Sequence, residues 1–432
     1  MLIRFRVENH RSLRDPQELS FVASSLKGLQ NAVVNAEGIR HGLLRVAAIY
    51  GANASGKTNV LHALSFLVAV VRDSHRSWRP DSPLPVQPFL LDEGRKSDTS
   101  TFEIDLLIGG VRYQLGFALN SAEVLREWLY AFPNGRKQLW YERESGTDSK
   151  QIRFGKSFSG ENRSIEGMTR KNSLFLSAAA QNNHEQLSPI YRWITQNIDF
   201  DFGSRNTFSS ALARVYSDPE IGKRLSELAA AADLGVVGFE LGKEAMDDDL
   251  YNAISTFIQT LSKKGKGTEN DTDDHPMPKE TTKVLLQHKG SGSSAVPFPN
   301  ANESAGTAAF LTIVGSALKK IKSGGVLCVD ELDSSLHPLL ALEIVRMFND
   351  PDQNPLGSQL LFNTHDVNLL DSDVLRRDQI WFTEKDKEGG THLYSLSDFK
   401  PRTHGNLKRG YLQGRYGAVP YIGTRDPDRK SG

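Results

Sequence analysis

An α/β fold with an added antiparallel β subdomain and a helical insertion is what this sequence predicts, on three observations. The apolar run Leu43 to Tyr50 leads into Gly51-Ala52-Asn53-Ala54-Ser55-Gly56-Lys57-Thr58 and then into a second apolar, helix-like run from Asn59 to Val71. A second buried-type strand, Gly324-Gly-Val-Leu-Cys-Val, ends in the paired carboxylates Asp330 and Glu331. Between the two lie several short strand-like runs and then a stretch whose apolar residues recur three and four apart.

Taken in chain order, Leu2 to Val7 alternates with period two and reads as a strand. The runs Phe102 to Ile108, Val111 to Leu119 and Leu139 to Tyr141 read likewise, and Gly109-Gly110 suits a hairpin turn. From about Asn182 to Lys264 the pattern becomes helical, notably over Ala211 to Ala232 and Leu250 to Leu261. Lys263 to Lys279 is polar, charged and rich in Gly and Pro, a mobile loop on this reading. The strand-like run Thr282 to His288 restarts the α/β portion.

Bulk properties narrow the function classes. The 432 residues carry 52 Lys plus Arg against 52 Asp plus Glu, so no global charge announces nucleic acid or membrane. The one cysteine, Cys328, lies in an apolar run and suits a reducing cytoplasm as an inert buried thiol. Neither a signal-peptide core nor an apolar run of membrane-spanning length occurs, so a soluble, cytoplasmic protein is expected.

The glycine loop is a P-loop. Its glycines let backbone N–H groups of Asn53, Ala54, Ser55 and Gly56 curl around phosphates at a positive helix end; Lys57 brings a point charge to the β and γ oxygens, Thr58 a hydroxyl to Mg²⁺, and Asn59 follows in the same turn. Asp330 and Glu331 form a Walker B pair in which Asp330 holds the Mg²⁺ shell while Glu331 orients the attacking water and takes its proton. In Leu332-Asp333-Ser334-Ser335-Leu336-His337-Pro338, Asp333 falls on a loop beside the phosphates. Gln359-Leu-Leu-Phe-Asn-Thr-His365 is a short strand ending in a histidine placed to meet the γ-phosphate. Asn302-Glu303-Ser304-Ala305-Gly306-Thr307 feeds a helix N-terminus, an anion site that is surplus to one nucleotide and so suggests the phosphate of a partner subunit.

In this order the elements resemble the ATP-binding cassette ATPases of the SMC and OLD type, that is, a P-loop NTPase of ABC-ATPase head type. The resemblance covers roughly residues 1–180 and 280–400. The wording of the P-loop and of Asp-Glu-Leu-Asp-Ser-Ser-Leu-His-Pro is most like stand-alone bacterial OLD-like ATPases of anti-phage defence systems. The resemblance implies a head in four parts: 1–181, the P-loop half with its β subdomain; 182–280, helical insertion and loop; 281–400, the half with signature loop, Walker B, D-loop and switch histidine; and 401–432, a basic tail. It also implies that Ser304 and Gly306 meet the γ-phosphate of the opposite protomer, that Asn9, Arg11 and Ser12 approach the nucleotide, and that Gln87 is a candidate Mg²⁺-sensing glutamine. Two departures stand out: Ala305 and Thr307 replace the Gly and polar residue of transporter cassettes, and the insertion is too short for long coiled-coil arms.

Such a head acts through something else. Too few residues follow His365 for the Toprim nuclease of full-length OLD proteins, so an effector nuclease is expected on another polypeptide, controlled by ATP-sandwiched homodimers or larger homo-oligomers. The alternative is an SMC-like ATPase that binds DNA in repair or chromosome maintenance. Its support is the tail, where Lys400, Arg402, Lys408, Arg409, Arg415, Arg425, Arg429 and Lys430 face only Asp426 and Asp428, with Phe399, Tyr411, Tyr416 and Tyr421 interleaved. A solvated or docked segment, a partner-docking segment and a nucleic-acid contact all fit that composition. No coupling to a membrane is indicated.

Overall fold

The computed structural model describes residues 1–26, 28–96, 98–146, 152–203, 215–232, 234–245, 255–256, 280–290, 295–299, 303–334, 336–370, 374–399 and 407–419. The expected helix Leu250 to Leu261 and loop Lys263 to Lys279 lie almost wholly outside these residues, as do Lys400, Arg402, Tyr421, Arg425, Arg429 and Lys430 of the tail. The chain forms two units, Met1–Gly203 with Lys320–Gly432, and Ser204–Lys319.

The first unit holds two large sheets. One has the strand order Ile198–Asp201, Val326–Val329, Gln359–Asn363, Val46–Gly51, Ile380–Lys385 and Thr391–Ser395, parallel except for the last, antiparallel member. Its inner strands are mostly apolar because parallel strands are covered on both faces. Every residue of Val46–Gly51, Val326–Val329 and Gln359–Asn363 is buried, the polar Gln359 and Asn363 at the ends of the last included. The other sheet has seven antiparallel strands, including Leu2–Glu8, Ser100–Ile108, Val111–Leu119, Val124–Phe132 and Gln138–Glu144. Gly109 and Gly110, with φ of 56° and 77°, make the hairpin turn that only left-handed backbone allows.

Helix Lys57–Asp73 buries Val60, Leu61, Ala63, Leu64, Leu67, Val68, Val70 and Val71. These side chains share one apolar cluster with Phe5, Phe102 and Phe117 of the antiparallel sheet and Ala47, Ile49, Cys328 and Leu361 of the parallel one. The P-loop helix is therefore locked at its flank, and its first turn is presented at the carboxyl ends of the parallel strands, where ligands bind in such sheets. Cys328 is buried, and desolvation pushes its thiol pKa up, which leaves it unreactive.

The segment read as the start of an insertion, 182–203, belongs with the first unit. Helix Ser188–Asn197 packs on the P-loop helix, and Ile198–Asp201 pairs in parallel with Val326–Val329. Four residues are too short a strand for periodicity to reveal, so pairing with a distant partner decided its conformation.

In the second unit, helix Pro219–Ala231 is capped by Asp218, whose carboxylate accepts from the N–H groups of Glu220 and Ile221 at 3.1 and 3.3 Å. Val236–Ala245 lies in the stretch expected to be helical and is instead a strand, whereas the strand expected over Thr282 to His288 is present. Val236–Ala245, Glu280–Lys289 and Ala295–Pro299 form a three-stranded antiparallel sheet. Its core is Val236, Phe239, Val284 and Leu286, buried together with Ile221, Leu225 and Ala229 of the helix. Val236 to Leu241 alternates only after a bulge between Val236 and Gly238, which disguises the period of two.

Candidate active site

The strand Val46–Gly51 ends in the P-loop, where Ala54 and Gly56 take left-handed φ of 61° and 107° before helix Lys57–Asp73 begins. A Cβ on Gly56 would overlap Thr391, the first residue of the outer antiparallel strand. Thr391 Oγ1 donates to the carbonyl of Ser55 at 2.9 Å and contacts Ser12 Oγ at 2.8 Å, and Ser55 Oγ meets Thr383 Oγ1 at 2.7 Å. The loop is thus clamped from beneath by two threonines of the Ile380–Ser395 hairpin. Asn53 and Ala54 are exposed at its crest.

Lys57 Nζ donates to the carbonyls of Gly51 and Ala52 at 3.0 and 3.1 Å. Burial lowers its pKa, opposed by Glu331, Asp333 and Asp330, so a dense acidic field faces this cation. Thr58 Oγ1 donates to Asp330 Oδ1 at 3.0 Å. Asp330 is fixed twice more: its N–H donates to the Asp201 carbonyl at 2.8 Å, and its Oδ1 accepts from the side-chain amide of Asn363. The same amide accepts, at Oδ1, from the N–H of Glu331. Glu331 sits in left-handed backbone, φ 51°, with its side chain exposed. Asn363, fully buried, escaped the sequence reading; its only signal was its place two residues before His365. Thr383 and Thr391 gave still less, since their partners are more than 300 residues away.

Both carboxylate oxygens of Asp333 accept from the N–H of His365 at 3.1 Å, so Asp333 ties the loop that carries His365 instead of pointing freely at a ligand. His365 is exposed. Desolvation and Lys57 lower its pKa against Asp333 and Glu331, which favours the neutral imidazole at pH 7.

Among the N-terminal residues, Asn59 Nδ2 donates to Ser12 Oγ at 2.6 Å, which places Ser12 at the P-loop helix. Arg11 reaches Asn59 Oδ1 only at 3.5 Å and donates through Nε to Gln87 Oε1 at 2.6 Å. The oxygen of Gln87 that a cation would need is therefore engaged by a guanidinium. Asn9 departs from expectation: it is fully buried, its amide donates to the carbonyls of Arg95 and Asp98, and its Oδ1 accepts from Phe89 N–H, so it orders the 89–98 segment. Arg11, Ser12, Gln87, Leu90, Leu91 and Lys385 lie around a cavity of about 460 Å³.

In the second unit, Ser304 Oγ accepts from Thr307 N–H at 3.0 Å and caps the helix Ala305–Ser323. Ser304 is exposed and Gly306 half-buried. Glu303 beside them pairs with His288 at 2.6 Å. Among the described tail residues, Tyr411 and Tyr416 are buried, and Lys408 donates to Asn368 Oδ1 at 2.8 Å; these aromatics are not available to stack on bases.

These residues fit a nucleoside triphosphate with a hard divalent cation: a hydroxyl and a carboxylate oxygen 3.0 Å apart at a helix N-terminus are the donors such a cation takes, and Lys57 supplies charge beside them. Among the described residues no helix is long and apolar enough to cross a membrane.

A family model, AAA_21, described as "AAA domain, putative AbiEii toxin, Type IV TA system", matches residues 46–371. No functionally curated protein matches the chain. Among solved structures it is similar to an SMC head domain from Thermotoga maritima, at 12% identity and TM-score 0.39, with 91% of this chain and 98% of that one covered. It is also similar to an SMC head bound to the C-winged helix domain of ScpA, at 14% identity and TM-score 0.43, with 93% and 99% covered.

Proposed function

The chain belongs to the AAA_21 family of AAA domains, and on that premise we propose that it is a Mg²⁺-dependent ATPase whose nucleotide is closed between two copies of the chain and whose turnover controls a separate effector. The observation that carries the catalytic part is the Thr58–Asp330 pair beside Lys57, at the carboxyl ends of parallel strands.

Lys57 and the N–H groups from Asn53 to Thr58 receive the phosphates, and Thr58 and Asp330 hold the cation. Mg²⁺ held by Thr58 and Asp330 would offset the negative charge of the phosphate oxygens. Glu331 accepts a proton from the water that attacks the γ-phosphorus as the bond to the bridging β–γ oxygen breaks. Asn363 keeps Glu331 in register with Asp330, and His365, neutral and anchored through Asp333, reports on the γ-phosphate.

Ser304 and Gly306 are assigned to the nucleotide of the partner copy. The support is their place at the exposed N-terminus of a 19-residue helix. The setting we propose is bacterial anti-phage defence, with a nuclease as effector. It is supported by the OLD-like wording of the P-loop and Walker B segments and agrees with a family description that names a toxin of a toxin–antitoxin system. Direct DNA binding is the weaker reading, because Lys408, Tyr411 and Tyr416 of the tail are engaged within the first unit.

Purification of the Glu331→Gln protein from its native host in ATP tests the whole. A stoichiometric second protein that survives nuclease treatment is expected. Bound nucleic acid without such a protein transfers the case to the DNA-processing reading, and absence of ATP binding removes the ATPase reading itself.

A further inference from the structure

The loop after strand Gln359–Asn363 carries His365 and continues through Asp366 to Leu370. Four bonds hold it. Thr364 N–H donates to the Ile49 carbonyl at 3.1 Å, and His365 N–H to Asp333. Tyr50 Oη donates to the Asp366 carbonyl at 3.3 Å, and Lys408 Nζ to Asn368 Oδ1 at 2.8 Å. The first three tie the loop to the P-loop strand and to the D-loop. The fourth comes from the far end of the chain.

Lys408 belongs to the helix Leu407–Leu412, and that segment is firmly seated. Tyr411 stacks on Phe382 with ring centroids 5.5 Å apart and 13° between planes, and meets Tyr50 edge-on at 6.0 Å. Tyr416 stacks on the same Phe382 at 6.0 Å. Tyr411 Oη donates to the Ala418 carbonyl at 3.1 Å and Tyr394 Oη to the Tyr416 carbonyl at 2.9 Å, closing the turn. A Cβ on Gly410 would overlap Tyr416, so the close approach of the two halves of the turn requires glycine. Tyr50, one residue before the P-loop, is consequently touched by both the switch loop, through its hydroxyl, and the C-terminal segment, through its ring.

We propose that the segment Leu407–Val419 is a positioning element for hydrolysis: through Lys408 and Tyr411 it fixes the loop that carries His365 against the strand that carries the P-loop. The proposal rests on the role of His365 given above. It predicts a specific pattern, since an anchor of the switch loop acts on the chemical step and not on nucleotide capture, which Lys57 and the P-loop N–H groups perform.

The test uses the full chain with Lys408→Ala, Asn368→Ala and the double variant, reading ATP affinity by calorimetry, single-turnover hydrolysis, and amide hydrogen exchange over residues 364–370. Loss of one hydrogen bond at the anchor slows hydrolysis about two- to tenfold in each single variant. The double variant loses less than the sum of the two single ones, because both remove the Lys408–Asn368 bond. ATP affinity stays unchanged and exchange across the loop accelerates. Unaltered exchange with unaltered turnover overturns the proposal, as do additive losses. If the parent protein binds no ATP, the ATPase reading falls instead, and the exchange data alone then decide whether Lys408 anchors the loop.

Discussion

Thr58 Oγ1 and Asp330 Oδ1 lie 3.0 Å apart although 272 residues separate them in the chain. The first residue lies in the first turn of the P-loop helix and the second follows a strand that stands two places from the P-loop strand in the sheet. Between the two strands runs Gln359–Asn363, and from its end Asn363 reaches both Asp330 and Glu331. The middle strand therefore supplies the brace that ties the Asp330 carboxylate to the Glu331 backbone.

Replacing that brace, Asn363→Ala, leaves the P-loop intact and releases the Asp330 carboxylate and the Glu331 backbone. Changes of this kind around a metal site lower metal affinity or activity by about 10- to 100-fold. The expected outcome is a Mg²⁺ requirement shifted upward in hydrolysis assays, with ATP affinity measured without metal unaltered. Wild-type Mg²⁺ dependence in this variant would remove Asn363 from the site.

Glu331 holds a left-handed backbone, φ 51°, that an L-residue adopts only at a cost. Glycine adopts it freely, so Glu331→Gly is expected to stabilise the folded protein by about 0.5–1 kcal/mol after the glycine's larger unfolded-state entropy is counted. The same change removes the proposed proton acceptor and should abolish turnover. Chemical unfolding beside an ATPase assay reads both; a stable variant that still hydrolyses ATP would disprove the role of Glu331.

Much of this was legible in the sequence, and the boundary is physical. The P-loop and the Asp330-Glu331 pair are local motifs whose chemistry needs particular residue types at fixed spacing, and the long antiparallel strands alternate openly. The clamps Thr383 and Thr391 and the brace Asn363 act through partners set by sheet order, which no local window contains. The same cause hid Val236–Ala245 within an apparently helical stretch, since its pairing partner begins at Glu280. Asn9 misled in the opposite direction: the Asn-His-Arg-Ser turn lies at the site, yet this member faces inward to order another loop.

The proposed closure of two heads on nucleotide makes its own demand. With Mg²⁺ and ATP, the Glu331→Gln protein should run as a dimer in light scattering, and Lys57→Ala as a monomer. Adding Ser304→Arg to the first should return it to monomers with ATP affinity retained, because the proposed closure assigns Ser304 to the partner's nucleotide and not its own. A dimer indifferent to nucleotide or to Ser304→Arg would refute the shared site.

His10 makes the fold acid-sensitive. It is 1% exposed, stacked on Phe66 at 5.1 Å and edge-on to Phe102 at 5.3 Å, and its Nδ1 has no hydrogen-bond partner among the described residues. Burial first, then Arg11 and His62, lower its pKa from 6.5 to about 3. Between those values the unfolded chain binds a proton that the folded chain refuses, so stability rises with pH there. The contribution of neutral His10 is complete above pH 6.5 and is lost as pH falls toward 3, at about 1.4 kcal/mol per pH unit. His10→Phe keeps an aromatic ring between Phe66 and Phe102 and has nothing to protonate. Chemical unfolding at pH 7, 6 and 5 should therefore show wild type losing stability more steeply than His10→Phe by that slope below pH 6; parallel curves would mean that His10 is not held neutral in the folded state.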